Sequence, residues 1–124
     1  MSDWMRIQSK EENVHAMKFY GYVLERGGEV VLDDIKAADT GWKTPLEVFE
    51  AVYEHELKVT ALINDLLKLA RQEGDTATES ILKWFIDEQV EEEAHAKQIV
   101  DKLKLIKDSV NGLFMLDHEL GERK

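Results

Sequence analysis

Cysteine is absent from the 124 residues. That excludes disulfides and thiolate metal sites, and leaves Glu, Asp, His and Gln as the side chains able to hold a cation. A single proline and seven glycines leave few turn positions, which argues against a turn-rich β architecture. Basic residues are outnumbered 16 to 26, for a formal net charge of −10. This is the wrong sign for a nucleic-acid partner and suits a protein that attracts cations. No apolar run reaches membrane-spanning length, and the N-terminus has no signal-peptide pattern. The expectation is a single all-α domain over 1–124, cytoplasmic, with neither membrane nor nucleic acid as a partner.

What the chain does have is apolar residues at helical spacing. Residues 3 to 26 read as a first helix, stopped by Gly27-Gly28. From Gly28 to Lys43 there is a strand-like fragment, Glu29-Val30-Val31-Leu32, with no second strand to pair with it. A segment of that length suits the long crossover of some four-helix folds. Thr44 caps a second helix with Pro45 at its first position, and Gly74 ends it. Thr76-Ala77-Thr78-Glu79 has the pattern of a capping box, so helices two and three form a tight antiparallel hairpin. The third helix runs to about Asp108, and residues 109 to 121 form a short last one.

Polar residues interrupt three of the apolar seams. Steps of three and four residues in the first helix give Met5, Gln8, Glu12, His15, Phe19 and Tyr22. In the second they give Phe49, Val52, Glu56, Val59, Ile63, Leu66 and Ala70, and in the third Phe85, Gln89, Glu92, Ala96, Ile99, Leu103, Ile106 and Val110. A buried carboxylate is costly unless paired or metal-bound. The competing reading is a charged outer face displaced by one position. Glu12-Asn13-Val14-His15 is a Glu-x-x-His pair, whose spacing brings two ligands to one helix face. Reflection through the Gly74 turn puts Glu56 level with residue 93, within a residue of Glu92, or about 1.5 Å along the axis. Carboxylates with one or two imidazoles suit iron in a helix bundle, although manganese and zinc accept the same donors.

The chain resembles bacterial and archaeal non-haem ferritins from Trp4 onward. The resemblance rests on Trp4-Met5, Glu11-Glu12-x-x-His15-Ala16-Met17-Lys18-Phe19-Tyr20, Glu25-Arg26-Gly27-Gly28, His55-Glu56, and Leu82-Lys83-Trp84-Phe85 running into Asp87-Glu88-Gln89-Val90-Glu91-Glu92-Glu93. It implies a ferritin-like bundle of three long helices, a long crossover and a short C-terminal helix. It also implies oxidation of Fe(II) by dioxygen at a di-iron centre and storage of ferric mineral in a 24-subunit shell. By position, Glu12 would bridge two irons and His15 would ligate the first, while Glu56 and Glu92 would hold the second with Gln89 beside it. Glu11, Glu88 and Glu91 match the acidic residues of the family's additional iron site, and Trp84 its tryptophan near the centre.

Two features depart from the family. His95 makes a second Glu-x-x-His with Glu92, of the kind found in bacterioferritins and rubrerythrins, but the seam phase favours Gln89 with Glu92 and leaves His95 exposed. The family's first helix, with a further Glu and a Tyr, has no counterpart, so the chain reads as truncated at its N-terminus relative to the family. The leading expectation is an iron-storage ferroxidase, impaired by that missing ligand. The alternatives are a small di-iron oxidase or peroxidase and a non-catalytic helical oligomer with a vestigial site. Apolar stripes left without a neighbour predict a homo-oligomer rather than a compact monomer.

Overall fold

The computed structural model describes residues 1–123. Four helices follow one another: α1 (Ser2–Glu25), α2 (Pro45–Gln72), α3 (Thr76–Ile106) and α4 (Val110–Gly121). No strand forms among the described residues, and the chain from Gly28 to Lys43, including the valine pair, is irregular. The helices fall into two units: α1 and α4 in the first, from Met1–Asp39 and the chain from Asp108 onward, and α2 and α3 in the second, Thr40–Lys107.

In the second unit α2 and α3 pack along their lengths as an antiparallel hairpin. Thr44 caps α2, its hydroxyl accepting from the Glu47 amide at 3.2 Å, with Pro45 at the first helical position. Gly74 ends it at φ +67°, and the amides of Gly74 and Asp75 donate back to the Arg71 and Ala70 carbonyls. This satisfies carbonyls that the helix end leaves without partners, and the left-handed conformation favours glycine. The cap of α3 differs from expectation. Asp75, not Thr76, is the N-cap: its carboxylate accepts from the Thr78 amide at 3.1 Å and the Thr78 hydroxyl at 2.6 Å. Glu79, expected to complete a box with Thr76, instead accepts from Arg71 Nε at 2.9 Å across the turn. The Arg71 hydrogen bond holds its carboxyl below the ordinary glutamate range. Toward the other end of the hairpin Lys104 lies 2.9 Å from Glu50, which raises the ammonium pKa.

The core of this unit follows the predicted seams with one shift. Phe49, Ile63, Leu67 and Ala70 are buried on α2, and Leu82, Phe85, Ala96, Ile99, Val100 and Leu103 on α3. Leu66, expected inside, is exposed, and Leu67 takes its place. A strict three-four alternation averages 3.5 residues per turn, whereas a straight helix has 3.6, so the stripe drifts about 20° every seven residues. Two heptads from Phe49 suffice to move it by one position. α3 also stops two residues short of Asp108, because Lys107 turns to φ +49°. Val110, which the seam carried into α3, begins α4 instead and is exposed.

In the first unit α1 ends on two glycines with different tasks. Gly27 takes φ +73°, while a Cβ on Gly28 would meet Val23 Cγ1 at 3.0 Å and the Val23 carbonyl oxygen at 3.1 Å. Their amides donate to the Leu24 and Val23 carbonyls. α4 is capped by Ser109, which accepts from the Gly112 amide at 3.1 Å. The N-terminal amine pairs with Asp117, and the Arg123 guanidinium lies 4.8 Å from the centre of the Trp4 ring. Trp4 and Gln8 of α1, and Leu116 and Leu120 of α4, are buried.

Candidate metal centre

The polar interruptions of α2 and α3 are buried inside their seams rather than displaced onto a wet face. Glu56 is 3% exposed, Gln89 5% and Glu92 7%. Antiparallel pairing brings the two helices' polar residues together at the expected level. The Gln89 amide nitrogen donates toward three acceptors at 3.2 Å: the Glu56 backbone carbonyl, the Glu56 carboxylate and the Thr60 hydroxyl. Thr60 in turn donates to Glu93 Oε1 at 2.5 Å. Reflection through the turn puts residue 89 level with Thr60, and the other contacts fall within one helical turn of that register. With its nitrogen committed to α2, the Gln89 side chain has only its carbonyl oxygen left as an acceptor. This half therefore supplies two buried carboxylates and an amide oxygen, all hard donors suited to iron. The Trp84 ring, half-buried, meets Phe85 edge to face with centroids 4.9 Å apart.

The residues expected on α1 form a second group, in the first unit. Glu12 Oε2 lies 3.5 Å from His15 Nδ1, as the Glu-x-x-His spacing requires. The His15 side chain is 13% exposed and the Glu12 side chain 47%. The second Glu12 oxygen, Oε1, accepts from Gln8 Nε2 at 3.2 Å. Glu11 accepts from Arg123, which also donates to Gln8 Oε1 at 2.9 Å.

Among the described residues no group of three or more His, Asp or Glu side chains is arranged to hold a metal ion. Glu12 is turned to Gln8 and His15, and Glu56 receives the Gln89 amide. Of the residues matched to the additional iron site, Glu11 and Glu88 are half-buried and Glu91 is exposed. His95 is exposed, as expected, while Glu92 is buried, so this second Glu-x-x-His does not share one environment. Sequence reasoning missed Thr60, Gln8 and Arg123 as parts of the site. Gln8 had a signal in its seam position, and Thr60 sits one residue beyond a predicted seam position. Arg123 follows the last helix and gave none.

The chain matches the family described as a ferritin-like domain over residues 1–106. It is 48% identical over 120 residues to a bacterial non-heme ferritin of Bacteroides fragilis, covering 97% of this chain and 74% of that protein. A bacterial non-heme ferritin of Staphylococcus epidermidis is 41% identical over 116 residues, 94% of this chain and 70% of its own. Among solved structures, a humanized archaeal ferritin superposes with a TM-score of 0.97 at 51% identity. An open-pore ferritin from the hyperthermophilic archaeon Archaeoglobus fulgidus gives 0.98 at 49%. Each of these two covers 99% of this chain and 76% of its own. No helix among the described residues is long and apolar enough to cross a membrane.

Proposed function

This chain belongs to the ferritin family, an iron-storage family, and from that premise we propose that it oxidises Fe(II) with dioxygen through its seam carboxylates before ferric mineral is stored. Fe(II) is the substrate: each ion gives up one electron to dioxygen, and an oxygen-rich ligand set favours the ferric product. The observation that carries the reading is the burial of Glu56 and Glu92, with the Gln89 amide anchored on Glu56. A carboxylate withdrawn from water loses hydration worth several kcal/mol. Apolar residues would fill the same positions more cheaply, so the acids are retained for what they bind.

The roles assigned to the chain's own residues follow from their donors. Glu56 and Glu92 hold one iron from the hairpin, with the Gln89 carbonyl oxygen beside them. In the first unit, Glu12 and His15 would supply an oxygen and a nitrogen donor for iron. By the resemblance, Glu11 of α1 and Glu88 and Glu91 of α3 would each offer a further carboxylate donor to iron on its way to the mineral. The active form is a homo-oligomer, in keeping with the ferritins it resembles.

The test is aerobic oxidation of Fe(II), followed by near-ultraviolet absorbance, in wild type, Glu92→Gln and His15→Ala. The expected result is at least a tenfold slower initial rate in each variant, as for loss of a group that positions the reacting ion. Glu92→Gln should leave the metal-free protein at least as stable, because a neutral amide relieves the desolvation of the acid. Equal oxidation rates in all three proteins would remove the ferroxidase reading.

A further inference from the structure

The hydrogen bonds of the first unit form a directed chain that ends on the Glu12–His15 pair. Arg123 carries donors only, so its bond to Gln8 Oε1 at 2.9 Å fixes which way the Gln8 amide faces. The amide nitrogen must then point the other way, and it donates to Glu12 Oε1 at 3.2 Å. The two Glu12 oxygens are thereby distinguished: Oε1 is held by Gln8, and Oε2 faces His15 Nδ1 at 3.5 Å. Gln8 is itself buried, at 8% exposure, so water competes little for its amide. The guanidinium that starts the chain is fixed from two further sides, by the Trp4 ring 4.8 Å away and by the Glu11 carboxylate. A cation–π contact, a charge-assisted hydrogen bond and an amide acceptor at once leave Arg123 little freedom.

We propose that Arg123 and Gln8 are positioning residues for iron binding at Glu12 and His15. Arg123 sets the Gln8 amide, and Gln8 sets the rotation of the Glu12 carboxylate so that Oε2 and the His15 ring are presented together. The proposal rests on the ferroxidase reading above only in naming Fe(II) as the cation. Partners that orient ligands in this way typically change metal affinity ten- to a hundredfold when removed. Lysine at 123 would not serve equally, because a point charge cannot engage the ring, Glu11 and Gln8 with one planar fork.

The experiment uses the full chain without oxygen and measures Fe(II) binding by calorimetry in wild type, Glu12→Ala, Arg123→Met and Gln8→Leu. Arg123→Met keeps the aliphatic stem against Trp4 and removes the donors. Its folding is checked by circular dichroism. Glu12→Ala should abolish one class of sites. Arg123→Met and Gln8→Leu should each weaken that same class about ten- to a hundredfold, and the double variant should be no weaker than the poorer single one, because the two act in series. A second readout is independent of metal. In metal-free protein the Gln8 side-chain amide should give two well-separated proton resonances, which broaden and converge in Arg123→Met while the backbone spectrum of α1 is retained. Wild-type Fe(II) affinity in a folded Arg123→Met protein, where Glu12→Ala has lost its sites, would overturn the proposal and leave the ferroxidase reading intact. Wild-type affinity in Glu12→Ala as well would overturn both.

Discussion

At the scale of single residues, the same side chain type serves opposite ends in this protein. Glu56 and Glu92 are withdrawn from water in the hairpin seam. Glu79, at the turn end of that hairpin, is held below its ordinary range chiefly by the Arg71 hydrogen bond. The sign of its pH dependence follows. A carboxyl whose folded value lies below its unfolded one contributes stability above the unfolded value and loses it as pH falls through the folded one. Because the pair is solvent-exposed, this contribution is small and screened by salt. Carbon-detected NMR titration of Glu79 in wild type and Arg71→Ala checks the cause: the midpoint should rise toward the ordinary glutamate range in the variant. An unchanged midpoint would mean that Arg71 does not set it. The seam acids were legible in the sequence because a polar residue stands out in an apolar stripe. Thr60 was not, since threonine at a helix flank is ordinary and only the facing Gln89 and Glu93 give it a role.

At the scale of elements, helix existence and seam phase were legible and the ends were read less well. Two capping residues stand side by side at Asp75 and Thr76, and both fit the start signal of α3. The acid prevails because its carboxylate reaches both the amide and the hydroxyl of Thr78. Asp75→Ala should therefore cost about 1 kcal/mol, and Thr76→Ala much less, as read from urea midpoints at constant slope. The other end of α3 offers the complementary case. Lys107 adopts φ +49° with ψ −126°, a conformation that glycine takes without strain. Nothing in a lysine among charged neighbours announces such a stop, which is why the helix read as continuing to Asp108. Lys107→Gly should stabilise the protein by about 1 kcal/mol in the same measurement. Equal midpoints for Asp75→Ala and Thr76→Ala would contradict the assigned cap, and a destabilised Lys107→Gly would contradict the strain.

At the scale of the whole molecule, the question is what covers the apolar side chains left outside. On α2, Leu62, Leu66 and Leu69 are each about half exposed, and their spacing of four and three puts them on one face. On α1, Val14, Met17 and Leu24 are exposed in the same way. Scattered apolar residues on a surface are ordinary, but stripes of this kind mark contact surfaces. Leaving ~400 Å² of such surface wet would forgo roughly 10 kcal/mol at ~25 cal/mol per Å², comparable with the stability of a small domain. A second copy of the chain is the cover that the family resemblance supplies, and a closed homo-oligomer reuses each stripe on every copy. Sedimentation velocity at micromolar concentration should show an oligomer for wild type and a smaller species for Leu62→Lys/Leu66→Lys. Both substitutions lie on the exposed face, away from Ile63 and Leu67, so the helical content of the variant should be kept. A wild-type protein that sediments as a stable monomer would remove the assembly from the functional reading and leave these stripes without a purpose.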